Sequence, residues 1–178
     1  KDEDYINNHF VIMCTKKGQV KKTSLEQYSR PRSNGINAIT IKEGDELLEA
    51  KLTTGNSQIL MSVKSGKCIR FEEGKTRPMG RNASGVRGIR LKDGTDEVVG
   101  MISVNDMDSD ILVVSENGYG KRSSLDAYRI TNRGGKGVKT ISVTEKTGKL
   151  VSLKNVNDND DLMIINKSGI AIRMEVAS

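Results

Sequence analysis

Residues 111–123, Ile-Leu-Val-Val-Ser-Glu-Asn-Gly-Tyr-Gly-Lys-Arg-Ser, decide how this chain is read. A short apolar run, Ile111-Leu112-Val113, enters an Asn117-Gly118 pair, and a second extended segment leaves it carrying cations. An Asn-Gly or Ser-Gly pair between two such runs marks a tight β-hairpin. The phrase recurs. Gly18, Gly66, Gly118 and Gly169 stand 48, 52 and 51 residues apart. Val11-Ile12-Met13, Ile59-Leu60-Met61 and Leu162-Met163-Ile164 precede the other three, and a cation follows each glycine by four residues: Lys22, Arg70, Arg122, Arg173. In three of the repeats a second glycine opens the pattern Gly-[Ile/Val]-x-x-Ile-x-[Ile/Leu/Val], at Gly35, Gly85 and Gly137. Periods near fifty residues denote an array of supersecondary units.

Each repeat is expected to hold four strands; in the third they are Ile111–Ser115, Tyr119–Ser123, Gly137–Val143 and Lys149–Asn155. The fold class is therefore all-β, a propeller-like arrangement of four-stranded antiparallel blades that leaves only short sheet edges. Eighteen glycines against two prolines fit turn-dense β structure. The expected organisation is a lead segment 1–9 from a preceding blade, repeats at 10–57, 58–109 and 110–160, and a partial repeat at 161–178. The chain begins at Lys1 without a methionine, which points to a piece of a larger protein. The partial last repeat should leave a sheet edge open to self-association.

Composition narrows the function. No run of about 18 apolar residues is present, so no membrane partner is expected and the localisation reads as cytoplasmic. Cys14 and Cys68 lack C-x-x-C partners and read as small reduced core residues. The single histidine, His9, excludes a Ser-His-Asp arrangement. Asp106-x-Asp108-x-Asp110 fails as a calcium loop, since the required glycine is Ile111 and the twelfth position is Asn117. No catalytic centre, metal site or cofactor is expected in this chain.

Charge is segregated. Residues 21–37, 69–87 and 121–139 carry net charges of +3, +3 and +5, whereas the whole chain carries +6, so everything else is −5. Repeat-equivalent positions lie along one edge of a radial array, and a basic edge is the electrostatic footprint of a nucleic-acid backbone. With four Tyr, two Phe and no Trp there are few platforms for stacking single-stranded bases, so duplex DNA held by its phosphates is the better fit. Tyr28 and Tyr128, ten residues after their glycines, read as structural. The candidate contacts are Lys21, Lys22, Arg30, Arg32, Arg70, Arg77, Arg81, Arg87, Lys121, Arg122, Arg129, Arg133, Lys136, Lys139 and Arg173. The glycines Gly134, Gly135 and Gly137 of the densest cationic loop join them, because their backbone admits close approach of a phosphate.

Arg77-Pro-Met-Gly-Arg-Asn-Ala-Ser-Gly-Val-Arg-Gly-Ile-Arg-Leu91, Asn117-Gly-Tyr-Gly-Lys-Arg122 and the repeat plan resemble the C-terminal domain of the DNA gyrase A subunit. The resemblance covers residues 10–178. It implies part of a six-bladed β-pinwheel, in which neighbouring blades exchange strands and DNA wraps around the rim. The family's box, Gln-Arg-Arg-Gly-Gly-Lys-Gly, is echoed by Arg133-Gly134-Gly135-Lys136-Gly137 in a later repeat, so the box itself is expected upstream. The implied parent is an ATP-dependent type IIA topoisomerase that introduces negative supercoils. Its implied partners are duplex DNA, the remainder of the gyrase A subunit, plus the gyrase B subunit in an A2B2 holoenzyme, with ATP and Mg used elsewhere. The paralogous domain of the topoisomerase IV A subunit, or a propeller-like protein-interaction scaffold, remains an alternative reading.

Overall fold

The structure, a computed structural model, describes residues 2–177. Thirteen strands and one short helix follow in order among these residues: α1 (Glu3–Asn7), β1 (Phe10–Thr15), β2 (Gln19–Ser24), β3 (Leu47–Thr53), β4 (Gln58–Val63), β5 (Lys67–Glu72), β6 (Val86–Arg87), β7 (Val98–Val104), β8 (Asp110–Ser115), β9 (Gly120–Ser124), β10 (Val138–Lys139), β11 (Leu150–Val156), β12 (Asp161–Ile165) and β13 (Ala171–Glu175). Single 3-10 turns at Leu25–Tyr28, Glu73–Lys75 and Leu125–Ala127 follow the second strand of the first three repeats. The all-β expectation holds. The lead segment supplies α1, capped by the Asp2 carboxylate accepting from the Tyr5 N–H.

The sheets are out of step with the sequence repeats. Their orders are β3-β1-β2-β6, β10-β5-β4-β7 and β11-β8-β9, with β12-β13 as a final hairpin. β6 belongs to the second sequence repeat but pairs with β2 of the first, Gln19 opposite Arg87 and Val20 opposite Val86. β10 likewise leaves the third repeat and pairs with β5, Cys68 opposite Val138 and Lys67 opposite Lys139. The first two sheets are thus four-stranded and antiparallel, as expected, and each takes its outer strand from the following repeat, the exchange that the family resemblance implied. The exchange also shortens the expected strand Gly137–Val143 to two paired residues. After Lys139 the backbone turns across the preceding hairpin, and the Thr140 and Ile141 N–H groups both donate to the Gly66 carbonyl. Gly88 and Ile89 do the same to Gly18. The anchor glycine thus does two jobs: at Gly66, φ is +89 and a Cβ would collide with the Ile141 carbonyl.

β4 explains why the apolar runs are continuous rather than alternating. Ile59 and Met61 join a core shared with Ile12, Cys14 and Val20 of the first sheet. Leu60, between them, points the other way into a core shared with Ile111, Val113 and Leu153 of the third. A strand covered on both faces needs apolar side chains at every position. Cys14 and Cys68 are free thiols in these cores, and burial pushes both thiols up to about 12.

Candidate nucleic-acid interface

β7 packs against β3 on one side and β11 on the other. These strands therefore line the inside of the arc, and the opposite edge of each sheet, formed by β6 and β10, lies on the outside. The basic loops run along this outer edge. Loop 77–87 first lies beside β2, where the Met79 N–H donates to the Lys22 carbonyl at 2.8 Å, before inserting β6. Loop 129–139 repeats the manoeuvre on β5, the Thr131 N–H donating to the Arg70 carbonyl at 2.9 Å. A tyrosine of its own repeat holds the loop in the third repeat and in the first: Tyr128 Oη meets Thr140 Oγ1, and Tyr28 Oη donates to the Ala38 carbonyl at 2.9 Å. The two tyrosines are structural, as their spacing suggested.

Several candidate cations stand free on this edge. Arg77 and Arg129, and Arg87 and Lys139, are exposed pairs 52 residues apart, with Lys136 beside them and Arg30 and Arg32 on the first loop. None has an acidic partner among the described residues. Charge is densest where the second and third repeats meet. Lys67 lies directly opposite Lys139 on adjacent strands, an arrangement that is destabilising unless an anion relieves it. Lys67, Arg90, Lys92 and Lys136 line one cleft of about 180 Å³. Lys67 and Arg90 were missed by the sequence reading. The signal existed, since Lys67 follows the anchor Gly66 and Arg90 lies inside the second-glycine pattern, but only the register of β10 on β5 brings Lys67 to Lys139, and only the Arg90 N–H bond to the Gly135 carbonyl brings Arg90 beside Lys136.

Other candidates are not at the surface. Lys21, Lys22 and Arg70 are 1%, 4% and 6% exposed. Lys22 Nζ lies 2.9 Å from Glu73 Oε2 in the next repeat and 4.3 Å from the Phe10 ring centroid. Arg70 donates to the Leu125 and Tyr128 carbonyls at 3.0 and 2.9 Å and to Gln58 Oε1 at 2.5 Å. Lys21 donates to the Ala38 and Arg81 carbonyls; burial, with the charge of Arg81 adding to it, lowers its amine to about 8. In the first three repeats the cation four residues after the glycine is thus a strut reaching forward along the array. Arg122 continues the series, bonding Asp158 at 2.5 Å and the Val176 carbonyl at 3.1 Å as well as Asp110 at 2.7 Å. These carboxylates, Asp158 first, raise its guanidinium above the ordinary range. Arg173 pairs with Asp161 across its own hairpin, and Lys121, though exposed, donates to the Thr140 carbonyl at 3.2 Å.

The glycine-rich loop is also partly committed. The Gly134 N–H donates to the Gly88 carbonyl at 2.7 Å, and the Gly135 carbonyl accepts from the Arg90 N–H at 2.7 Å. At Gly137 a Cβ would lie 2.5 Å from the Cys68 carbonyl oxygen, with φ at +74. Gly134 and Gly137 therefore let the loop dock on the protein, and the part turned outward is Gly135-Lys136. Asp106 and Asn157 cap equivalent turns, accepting from the Asp108 and Asn159 N–H groups, and Asp110 is paired with Arg122.

A sequence model described as "DNA gyrase C-terminal domain, beta-propeller" matches residues 9–54, 60–105, 109–157 and 160–178. The chain belongs to this family. The four matched segments follow the four glycine-anchored repeats. Among relatives of the gyrase family, the DNA gyrase A subunit of Staphylococcus epidermidis (strain ATCC 12228 / FDA PCI 1200) is 45% identical over 176 residues, covering 98% of this chain and 19% of that protein. The DNA gyrase A subunit of Staphylococcus aureus (strain NCTC 8325 / PS 47) is 45% identical over 172 residues, 96% of this chain and 19% of that protein. The chain thus spans about a fifth of the curated relatives it matches. In fold it is similar to the solved C-terminal domain of DNA topoisomerase IV, with TM-score 0.89 at 24% identity over 96% of this chain and 53% of that one. It is also similar to the DNA gyrase A C-terminal domain, with TM-score 0.84 at 24% identity over 99% of this chain and 58% of that one. Among the described residues, no helix is long and apolar enough to cross a membrane.

Proposed function

We propose that this chain binds and bends duplex DNA along its outer edge as part of the C-terminal domain of a gyrase A subunit. The observation that carries the reading is the recurrence of free, exposed cations at matched positions of successive outer edges, Arg77 with Arg129 and Arg87 with Lys139. A duplex laid along this edge meets the same charges at each repeat and follows the curvature of the arc. Contacts of this kind are to phosphates and carry no base sequence. The parent A2B2 assembly uses such a bent segment to present a neighbouring one for strand passage, and ATP hydrolysis outside this chain drives negative supercoiling. The role assigned to this chain is binding.

The test is affinity for a short duplex of arbitrary sequence measured across a range of salt. Each phosphate contact contributes about −0.9 to the slope of log affinity against log salt. Arg77→Gln with Arg129→Gln should flatten that slope by about two units whatever the DNA sequence. Affinity that ignores salt, or a slope that this double substitution leaves unchanged, would exclude the reading and favour a protein-interaction scaffold.

A further inference from the structure

Two arginines of the basic loops have their guanidinium donors turned toward the protein, in the same way and at the same repeat position. Arg81 stands four residues before Gly85, and its Nη1 donates to the Asn37 carbonyl at 3.0 Å. Arg133 stands four residues before Gly137, and its Nη1 donates to the Arg87 carbonyl at 3.2 Å. Asn37 and Arg87 are themselves equivalent, each two residues after the glycine of the preceding repeat. Arg133 adds a second bond, Nε to the Lys75 carbonyl at 3.1 Å. Backbone bonds beside each arginine repeat as well: the Thr40 N–H donates to the Ala83 carbonyl at 3.3 Å and the Arg90 N–H to the Gly135 carbonyl at 2.7 Å. Lys21 and Gln27 grip the backbone of Arg81 from the first repeat, at its carbonyl and its N–H.

We propose that Arg81 and Arg133 are positioning residues that hook each outer loop onto the one before it, and so set the spacing along the edge at which the free cations meet DNA. The proposal rests on the DNA-binding reading above. A planar guanidinium offers several donors in a fixed fork and can hold two carbonyls at once, whereas an ammonium is a compact point charge. The Arg133 fork grips the carbonyl of Arg87, one of the free cations, so losing it displaces a contact residue without removing that residue's charge. Substitution by lysine keeps the charge and breaks the hook, which separates this role from that of a phosphate contact.

The experiment uses the full-length protein carrying this chain, with Arg133→Lys, Arg133→Gln and Lys139→Gln variants. Without DNA, hydrogen exchange should show at least tenfold loss of protection at the Arg90 and Gly134 amides in both Arg133 variants, with Thr131 less affected. Arg81→Lys should do the same at Thr40, which serves as the second case should Arg133→Gln fail to fold. With DNA, the linking change trapped on ligating a nicked circle should fall at least twofold in Arg133→Lys. Its salt slope should stay near the parent's, whereas Lys139→Gln lowers the slope by about 0.9. Unchanged exchange at Arg90 and Gly134, or a full linking change in Arg133→Lys, would overturn the hook. A parent protein without salt-dependent affinity would instead overturn the DNA-binding reading, and the exchange result would still decide the hook.

Discussion

Replacing Lys22 by Met should unfold this domain more readily than any change to an exposed cation, because Lys22 belongs to the interior. Its ammonium lies 2.9 Å from Glu73 Oε2, and the two side chains are 5% and 0% exposed. Met matches the length of the aliphatic stem and keeps its packing against Phe10. The loss is therefore electrostatic: Glu73 remains buried as an unpaired carboxylate. Removing one partner of a buried pair costs about 3–5 kcal/mol, a large share of the roughly 5–15 kcal/mol that holds a domain folded. Replacing both partners by apolar residues of similar volume is often neutral or stabilising, so Lys22→Met with Glu73→Met should recover most of the loss. Urea unfolding of the two single variants, the double variant and the parent gives the cycle, provided the slope against urea stays constant. A cost below about 1 kcal/mol for Lys22→Met, or a double variant as unstable as the worse single one, would refute the assignment of Lys22 as a strut. In that event Lys22 would return to the list of candidate phosphate contacts.

Two further outcomes follow from the same geometry. Gly137→Ala should cost about 2 kcal/mol or more and unpair β10 from β5, since it adds left-handed strain of about 1–2 kcal/mol to a Cβ 2.5 Å from the Cys68 carbonyl oxygen. Gly118→Ala, at φ +83 with nothing within 4 Å, should cost only the strain; equal costs in thermal or urea unfolding would contradict the exchange. Stability should also depend on pH in two opposed stages. Lys21 has its amine lowered from 10.5 to about 8, so the unfolded chain binds more protons above pH 8 and stability rises as pH passes from about 8 towards 9. Above 9, the thiols of Cys14 and Cys68, raised from 9.0 to about 12, stay protonated only in the folded state, and stability falls again. Lys21→Met should abolish the first stage and keep the second, as read by urea midpoints between pH 7 and 10.

The sequence made the array legible because each repeat carries its own local instructions: an apolar run, a turn glycine and a second glycine. The positions of the loops and their charge were equally plain. What pairs with what was less so, since Val86-Arg87 carries the same local pattern whether it closes its own sheet or its neighbour's, and strand exchange came only from the family resemblance. The fate of individual cations was harder still. Lys22 contributes the same charge to a sum whether it faces water or a buried carboxylate 51 residues away. The strand Gln19-Val-Lys-Lys-Thr-Ser24 reads as polar, yet its four middle residues are buried. Recurrence at a matched position marked the struts and the free cations alike, because a strut and a phosphate contact both recur in a repeat array.

The distinction between those two kinds of recurrence follows from direction along the array. In the first three repeats the cation four residues after the hairpin glycine reaches forward: Lys22 to Glu73, Arg70 to the Leu125 and Tyr128 carbonyls, Arg122 to Asp158 and Val176. Arginines four residues before the second glycine reach backward, Arg81 to Asn37 and Arg133 to Arg87. Each repeat is therefore tied to its neighbours by both ends of the same segment, and strand exchange adds a third tie. In arrays whose stability is a sum of repeat and nearest-neighbour terms, such ties raise the interface term and fix the step between successive outer edges. The proposed bending of DNA needs that rigidity, because a compliant edge would straighten with the stiff duplex instead of bending it. Under the proposed function the buried cations and the exposed ones serve one end, the first holding the curvature that the second would present to the phosphates.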